Sequence, residues 1–204
     1  MGSGFFVNNQ QIVTNHHVVQ NCRNIAVRGA IKPSLVNLQY YNEQHDIAVL
    51  KVQELGNSPN RIASLRQNTN TIETNDVIFS IGYPLEHGKT GLYLINKANI
   101  TSIENQDGAN SFQFTDTVDH GNSGGPLIDK SSNVIGVVTS RVTYSDQNNN
   151  QKSYGSAISI EWVMNFLRQN NVLYGVNYTY KDLIGIPMPT QAANDYVVNI
   201  HCIH

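Results

Sequence analysis

The sequence predicts an all-β fold, a sandwich or a barrel, with one helix towards the C-terminal side. Short β-branched and apolar runs recur along most of the 204 residues. Clusters of Gly, Asn, Asp and Pro punctuate them at intervals that suit antiparallel strands. A helical apolar stripe of useful length occurs once.

The strands are read in chain order. "GFFV" (4–7) and "QIVT" (11–14) come first, then "NIAVRG" (24–29) and "DIAVLKV" (46–52). Val, Ile, Phe and Thr dominate these runs, and such side chains pack well on a pleated surface. "SLRQNTNTIETND" (64–76) is polar, which predicts a linker at 67–75 between a unit of 1–66 and one of 76–172. The second unit holds "DVIFSIGYP" (76–84), "GLYLINKANITSI" (91–103), "SFQFTD" (111–116) and "NVIGVVTSRVTY" (133–144). "YSDQNNNQKSYG" (144–155) predicts a polar loop tip. "SIEWVMNFLRQNN" (159–171) predicts the helix, capped by Ser159, with Glu161 in its first turn and Trp162, Val163, Phe166 and Leu167 as its core stripe. Residues 173–204 form a C-terminal extension.

Composition excludes several classes. Hydrophobic residues make up 40% and charged ones 14%, and the formal net charge is −2, so neither a nucleic acid nor an anionic membrane is an expected partner. No apolar run predicts a membrane span, and the first residues do not read as a signal peptide. The compartment is left open: periplasmic or secreted for an excised mature chain, cytoplasmic otherwise. Two cysteines, Cys22 and Cys202, do not make a disulfide framework. Two free thiols is the plainer reading; a single bridge between the chain's ends is the other.

The stretch "HGNSGGPLID" (120–129) crowds three glycines around Ser123. A serine hydroxyl is a weak nucleophile until a base takes its proton. The oxyanion formed on attack needs aimed donors, and backbone N–H groups serve. A loop that turns N–H groups inward needs residues tolerant of unusual φ and ψ, hence glycine. Gly121 and Ser123 are the natural donors. A Gly-Gly hairpin turn that happens to carry a serine would read the same way. "VTNHHVV" (13–19) adds two histidines after an apolar strand, and "HDIAVLKV" (45–52) sets an aspartate at the head of another. The order His, Asp, Ser is a known chain order for a triad.

Together, "GSGFFVNNQQIVTNHHVV", "DIAVLKV", "IGYP" and "GNSGGPLID…VIGVVTS…YGSAISIEWV" resemble the trypsin-like serine peptidases, most closely their HtrA/Deg-type branch, over roughly residues 2–170. The resemblance implies two six-stranded antiparallel β-barrels with a helix at about 160–170 and a cleft between the barrels. It implies Ser123 as nucleophile, His17 as base, Asp46 as the carboxylate that orients His17, and Gly121 with Ser123 as oxyanion donors. His16 then reads as a partly exposed turn residue, His45 as a surface residue, and His120 as a cleft or loop residue. A histidine base, with an ordinary pKa of about 6.5, predicts activity that falls in mild acid. Asn122 is neutral where digestive trypsins carry aspartate, so activation by a newly cut N-terminus is not expected.

The same resemblance places pocket walls at Thr117 and Val118, at Val138, Thr139 and Ser140, and at Ser156 and Ala157. None is charged, which predicts cleavage after small or medium apolar residues. A register slip bringing Asp116 or Asp119 into the pocket would favour basic residues instead. "ANDYVVNIHCIH" (193–204) resembles the Val-Val-x-Ile strand that precedes GSGF in Deg-type enzymes. It predicts that residues 196–203 complete the first barrel, within one molecule or by strand exchange between copies through 195–204. His201 and His204 lie three apart on this strand and face opposite sides, so no metal site is assigned. The expected activity is a serine endopeptidase acting on peptides or unfolded proteins, without cofactor. A silent protease-like module that grips peptides is the rival, and an esterase the weaker third.

Overall fold

The structure is a computed structural model that describes residues 1–54, 56–84, 93–106, 109–115, 121–145, 151–177 and 193–204. Two closed six-stranded antiparallel barrels and a helix account for most of it. The first barrel comprises β1 (Gly2–Phe6), β2 (Gln11–Thr14), β3 (Asn24–Gly29), β4 (Ser34–Asn42), β5 (Ile47–Val52) and β14 (Val197–Ile203). A single turn of helix, α1 (His16–Val19), follows β2. The staves close in the order β1-β14-β3-β4-β5-β2.

The C-terminal strand is thus an interior stave of its own chain's barrel. Phe5 faces Val197 and Gly2 faces Ile200 on one side, while Val198 faces Gly29 and Ile203 faces Asn24 on the other. Each edge of β14 finds a ladder, so the barrel presents no open edge there. Val198 and Ile200 are fully buried with Phe5, Phe6, Ile12 and Val49. Cys22 and Cys202 are joined by a disulfide with Cα atoms 5.2 Å apart. Cys202 pairs with Ile25, and the Arg23 N–H donates to the Ile203 carbonyl (2.8 Å), so the register brings Cys22 opposite its partner. This corrects the reading of two free thiols.

The second barrel comprises β7 (Val77–Gly82), β8 (Leu94–Gln106), β9 (Ala109–Phe114), β10 (Pro126–Asp129), β11 (Asn133–Ser145) and β12 (Gln151–Ser159). It closes through β10–β11, and its core is built from Ile78, Ile100, Phe112, Phe114, Leu127 and Ile135, among others. The short β6 (Ser64–Arg66) lies parallel to β11, and β13 (Gly175–Asn177) parallel to β6. β11 and β12 stay paired out to Ser145 and Gln151, so 144–145 and 151–155 of the loop tip expected over 144–155 are strand instead; 146–150 lie outside the described residues.

Helix α2 (Ile160–Gln169) is capped as expected: the Glu161 N–H donates to Ser159 Oγ (3.0 Å). Its buried face, Ile160, Val163, Met164, Phe166 and Leu167, joins the same apolar cluster as the first barrel. Its Glu161 carboxylate accepts from Thr69 N (3.0 Å), Thr69 Oγ1 (2.7 Å) and Asn110 N (3.1 Å). The polar stretch between the barrels is therefore tied to the helix through fully buried Thr69. Among the described residues, no helix is long and apolar enough to cross a membrane.

Candidate active site

Asp46 heads β5 with φ of +50°, a left-handed conformation that aspartate tolerates better than most residues. That turn lets one residue hold the start of α1 four times over. The Asp46 carbonyl accepts from His16 N (3.2 Å) and Asn15 Nδ2 (3.0 Å). Its carboxylate accepts from His17 N at Oδ1 (2.9 Å) and lies 2.7 Å from His17 Nδ1 at Oδ2. A carboxylate only accepts, so Nδ1 carries the hydrogen and Nε2 is left with a free lone pair. His17 is half exposed, with 47% of its side chain open to solvent.

The other two described histidines nearby are packed rather than open. His16 is buried, with its ring stacked on Tyr41 (centroids 4.6 Å apart, 11° between planes), instead of sitting partly exposed in a turn. His45 is half-buried and stacks on Trp162 of α2 (4.0 Å), instead of lying free on the surface. Apolar ring area explains both: each imidazole covers, and is covered by, a neighbouring aromatic face.

Ser123 comes from the turn before β10. Gly121 (φ +107°) and Gly124 (φ +85°) adopt backbone conformations that side-chain-bearing residues rarely reach. Gly125 N donates to the Asn122 carbonyl (2.9 Å), closing the turn, and Gly124 N donates to Val138 O (2.8 Å), docking it on β11. A Cβ on Gly124 would lie 2.2 Å from both Ser3 O and Thr14 Oγ1 and 3.2 Å from Asn15 N. Only glycine permits that approach, and it brings the serine turn of the second barrel against the strand end that leads into His17. The Ser123 hydroxyl donates to the Thr139 carbonyl (2.7 Å) and makes no hydrogen bond to His17 among the described residues. The structure therefore forms the His17–Asp46 link and parks the serine hydroxyl on β11.

Of the expected pocket walls, Val138 and Ala157 are buried in the second-barrel core. Thr139, Ser140 and Ser156 pair their hydroxyls: Thr139 Oγ1 lies 2.8 Å and Ser140 Oγ 3.1 Å from Ser156 Oγ. A cavity of about 220 Å³ is lined in part by Thr139, Ser156, Ala157, Phe112, Gln113 and Glu104. Glu104, which sequence reasoning did not single out, is exposed and accepts from Gln113 Nε2 (3.1 Å). Thr117 and Val118, and with them Asp116, Asp119 and His120, lie outside the described residues. Sequence reasoning also missed Ser3, which is fully buried beside the serine turn; its place within a glycine-rich run gave no sign of a polar role. Tyr83, whose backbone N–H donates to Ser3 Oγ, has its hydroxyl pushed above the ordinary pKa by burial and then by Tyr93.

A family model described as a trypsin-like peptidase domain matches residues 2–137. An uncharacterised protein, y4bJ, of Sinorhizobium fredii is 38% identical over 69% of this chain and 22% of its own length. A protein described as a probable periplasmic serine endoprotease DegP-like, from Buchnera aphidicola, is 27% identical over 98% of this chain and 43% of its own. The chain thus spans less than half the length of these curated relatives. Among solved structures, the active form of the Rv3671c protease from M. tuberculosis superposes with a TM-score of 0.67, at 24% identity, over 86% of this chain and 76% of that one. That likeness speaks for the fold.

Proposed function

The chain belongs to the trypsin-like peptidase family, and from that premise we propose that it is a serine endopeptidase working through Ser123, His17 and Asp46. One observation carries the reading: the Asp46 carboxylate grips both the backbone N–H (2.9 Å) and Nδ1 (2.7 Å) of His17. That grip fixes ring and tautomer together, leaving Nε2 as a proton acceptor. The Ser123 hydroxyl swings from the Thr139 carbonyl to Nε2 and gives up its proton as Oγ attacks the substrate carbonyl. The N–H groups of Gly121 and Ser123 hold the developing oxyanion. Protonated His17 returns the proton to the leaving amine, and water, deprotonated by His17, hydrolyses the acyl-enzyme. The step needs no cofactor.

The substrate on this reading is a peptide or an unfolded protein, cut after small or medium apolar residues. Support comes from the described walls. Thr139, Ser140 and Ser156 are short and satisfy one another's hydroxyls. These three carry no charge; the charged side chain in the cavity's lining is Glu104, which accepts from Gln113 Nε2 (3.1 Å). The disulfide favours an oxidising compartment, periplasmic or extracellular, in keeping with the description of the Buchnera relative. The reading keeps domain units of 1–66, completed by 196–203, and 76–172, with β6 at the end of the first unit paired to β11 of the second.

The test is mass-spectrometric mapping of cuts in an unfolded protein, with Ser123→Ala as control. Cuts after Val, Ala or Leu that vanish in the variant are expected. Cuts after Lys or Arg overturn the pocket reading. Peptide binding with no cutting by the wild type favours a silent binding module.

A further inference from the structure

We propose that Ser3 is a positioning residue that sets the orientation of the Ser123 N–H oxyanion donor; this rests on the hydrolytic reading above. Ser3 is fully buried where β1 meets the serine turn. Its hydroxyl donates to the Gly121 carbonyl (2.6 Å) and accepts from Tyr83 N (2.9 Å). Its backbone N–H donates to the Ser123 carbonyl (2.8 Å), and its carbonyl accepts from Thr14 Oγ1 (2.7 Å). Four hydrogen bonds from three groups of one residue thus tie together the serine turn, the end of β7 at Tyr83 and the strand that leads to His17.

The peptide that matters is Asn122–Ser123, whose N–H points at the developing oxyanion. The peptides on either side of it, Gly121–Asn122 and Ser123–Gly124, both end their carbonyls on Ser3. Gly121 (φ +107°) and Gly124 (φ +85°) flank the turn and confer little stiffness of their own. Within the turn, the Asn122 carbonyl accepts from Gly125 N (2.9 Å); the two neighbouring planes are held from outside it, by Ser3. The Ser3 N–H bond survives any side-chain change. The hydroxyl bond to Gly121 does not, so substitution frees one plane and leaves the other.

The experiment compares wild type, Ser3→Ala and Ser3→Thr for kcat and KM on a peptide substrate. It adds affinity for a peptide aldehyde, which forms an oxyanion on the enzyme, and for the matching peptide acid, which does not. Thermal melting reports folding. In Ser3→Ala, kcat and aldehyde affinity should each fall about 10- to 100-fold, less than the 10²–10³ for loss of a whole donor. KM and acid affinity should stay within about twofold of wild type, and Ser3→Thr, which keeps the hydroxyl, should recover most of the loss. If Ser3→Ala does not fold, Ser3→Cys, close in size but a weak donor, is read by the same split. Unchanged kcat in a folded variant, or kcat and acid affinity falling together, overturns the role of Ser3. A wild type that neither cuts peptide nor reacts with a fluorophosphonate overturns the hydrolytic reading itself.

Discussion

Asp46→Asn separates the electrostatic and geometric duties of the carboxylate. Asn tolerates the left-handed backbone at this position (φ +50°), so the turn into β5 should survive. The carboxylate now accepts two hydrogens, one from His17 N and one from Nδ1. An amide has one oxygen and one NH₂, so it can accept only one of them. With the oxygen on the backbone N–H, the NH₂ faces Nδ1, which must then accept; the ring hydrogen moves to Nε2, and the base is lost. With the amide turned round, two donors meet at His17 N, which costs about 1–3 kcal/mol for an unsatisfied group if it is shut off from water. The first arrangement is therefore preferred. The same tautomer error in a trypsin-like triad lowers kcat about 10⁴-fold, or about 5.5 kcal/mol of transition-state stabilisation. Peptide turnover should fall by about that factor while the thermal melt stays within a few degrees of wild type. A variant that keeps a tenth of the activity would refute the tautomer argument, and one that unfolds would refute the claim that Asn fits the turn.

The Cys22→Ser, Cys202→Ser double variant loses a bridge between residues 180 apart, and its unfolding free energy by urea titration should drop by about 2–4 kcal/mol. An unchanged midpoint under oxidising conditions would contradict a formed bridge. Asp129→Ala strips the Arg66 guanidinium of a 2.7 Å partner in a pair whose side chains are only 13% and 10% exposed, and it removes the carboxylate oxygen to which Ser131 N and Asn133 N donate. A loss of about 3–5 kcal/mol is expected, and a loss under 1 kcal/mol would mean that the pair is better solvated than the structure shows. Burial, and after it Arg28, hold His201 below its ordinary pKa of about 6.5. The unfolded chain then takes up this proton first as pH falls below about 6.5, so this contribution to stability is complete above that pH and is lost towards the folded-state pKa. Urea midpoints at pH 7.5 and 5 should differ less in His201→Gln than in wild type; an equal difference in both excludes His201 as a source.

Much of the strand pattern was legible because β-branched and apolar runs stand between Gly, Asn, Asp and Pro clusters; "NIAVRG" alternates in burial, while "QIVT" is buried almost throughout. "QIVT" and "NIAVRG" are the observed β2 and β3, residue for residue. β4 was passed over: in "SLVNLQYYN", Leu35, Leu38 and Tyr41 are exposed, so apolar character does not mark its inner face. The Gly-rich serine turn, the aspartate heading a buried strand and the paired histidines could be read because each is a local arrangement. The pairing of Cys22 with Cys202 could not, since it depends on the register of β14 against β3. The bond network of Ser3 was equally hidden, because its partners Thr14, Tyr83, Gly121 and Ser123 come from three other parts of the chain. The stacking of His16 on Tyr41 and of His45 on Trp162 likewise needs the fold before it can be seen.

The most direct measurement is stoichiometric titration with a fluorophosphonate, followed by peptide mapping of the adduct. One adduct per chain on Ser123 Oγ is expected in the wild type, with none in Ser123→Ala and greatly slowed labelling in His17→Ala. An adduct on another residue, or a folded wild type that resists the reagent, would contradict a serine activated by His17 and Asp46.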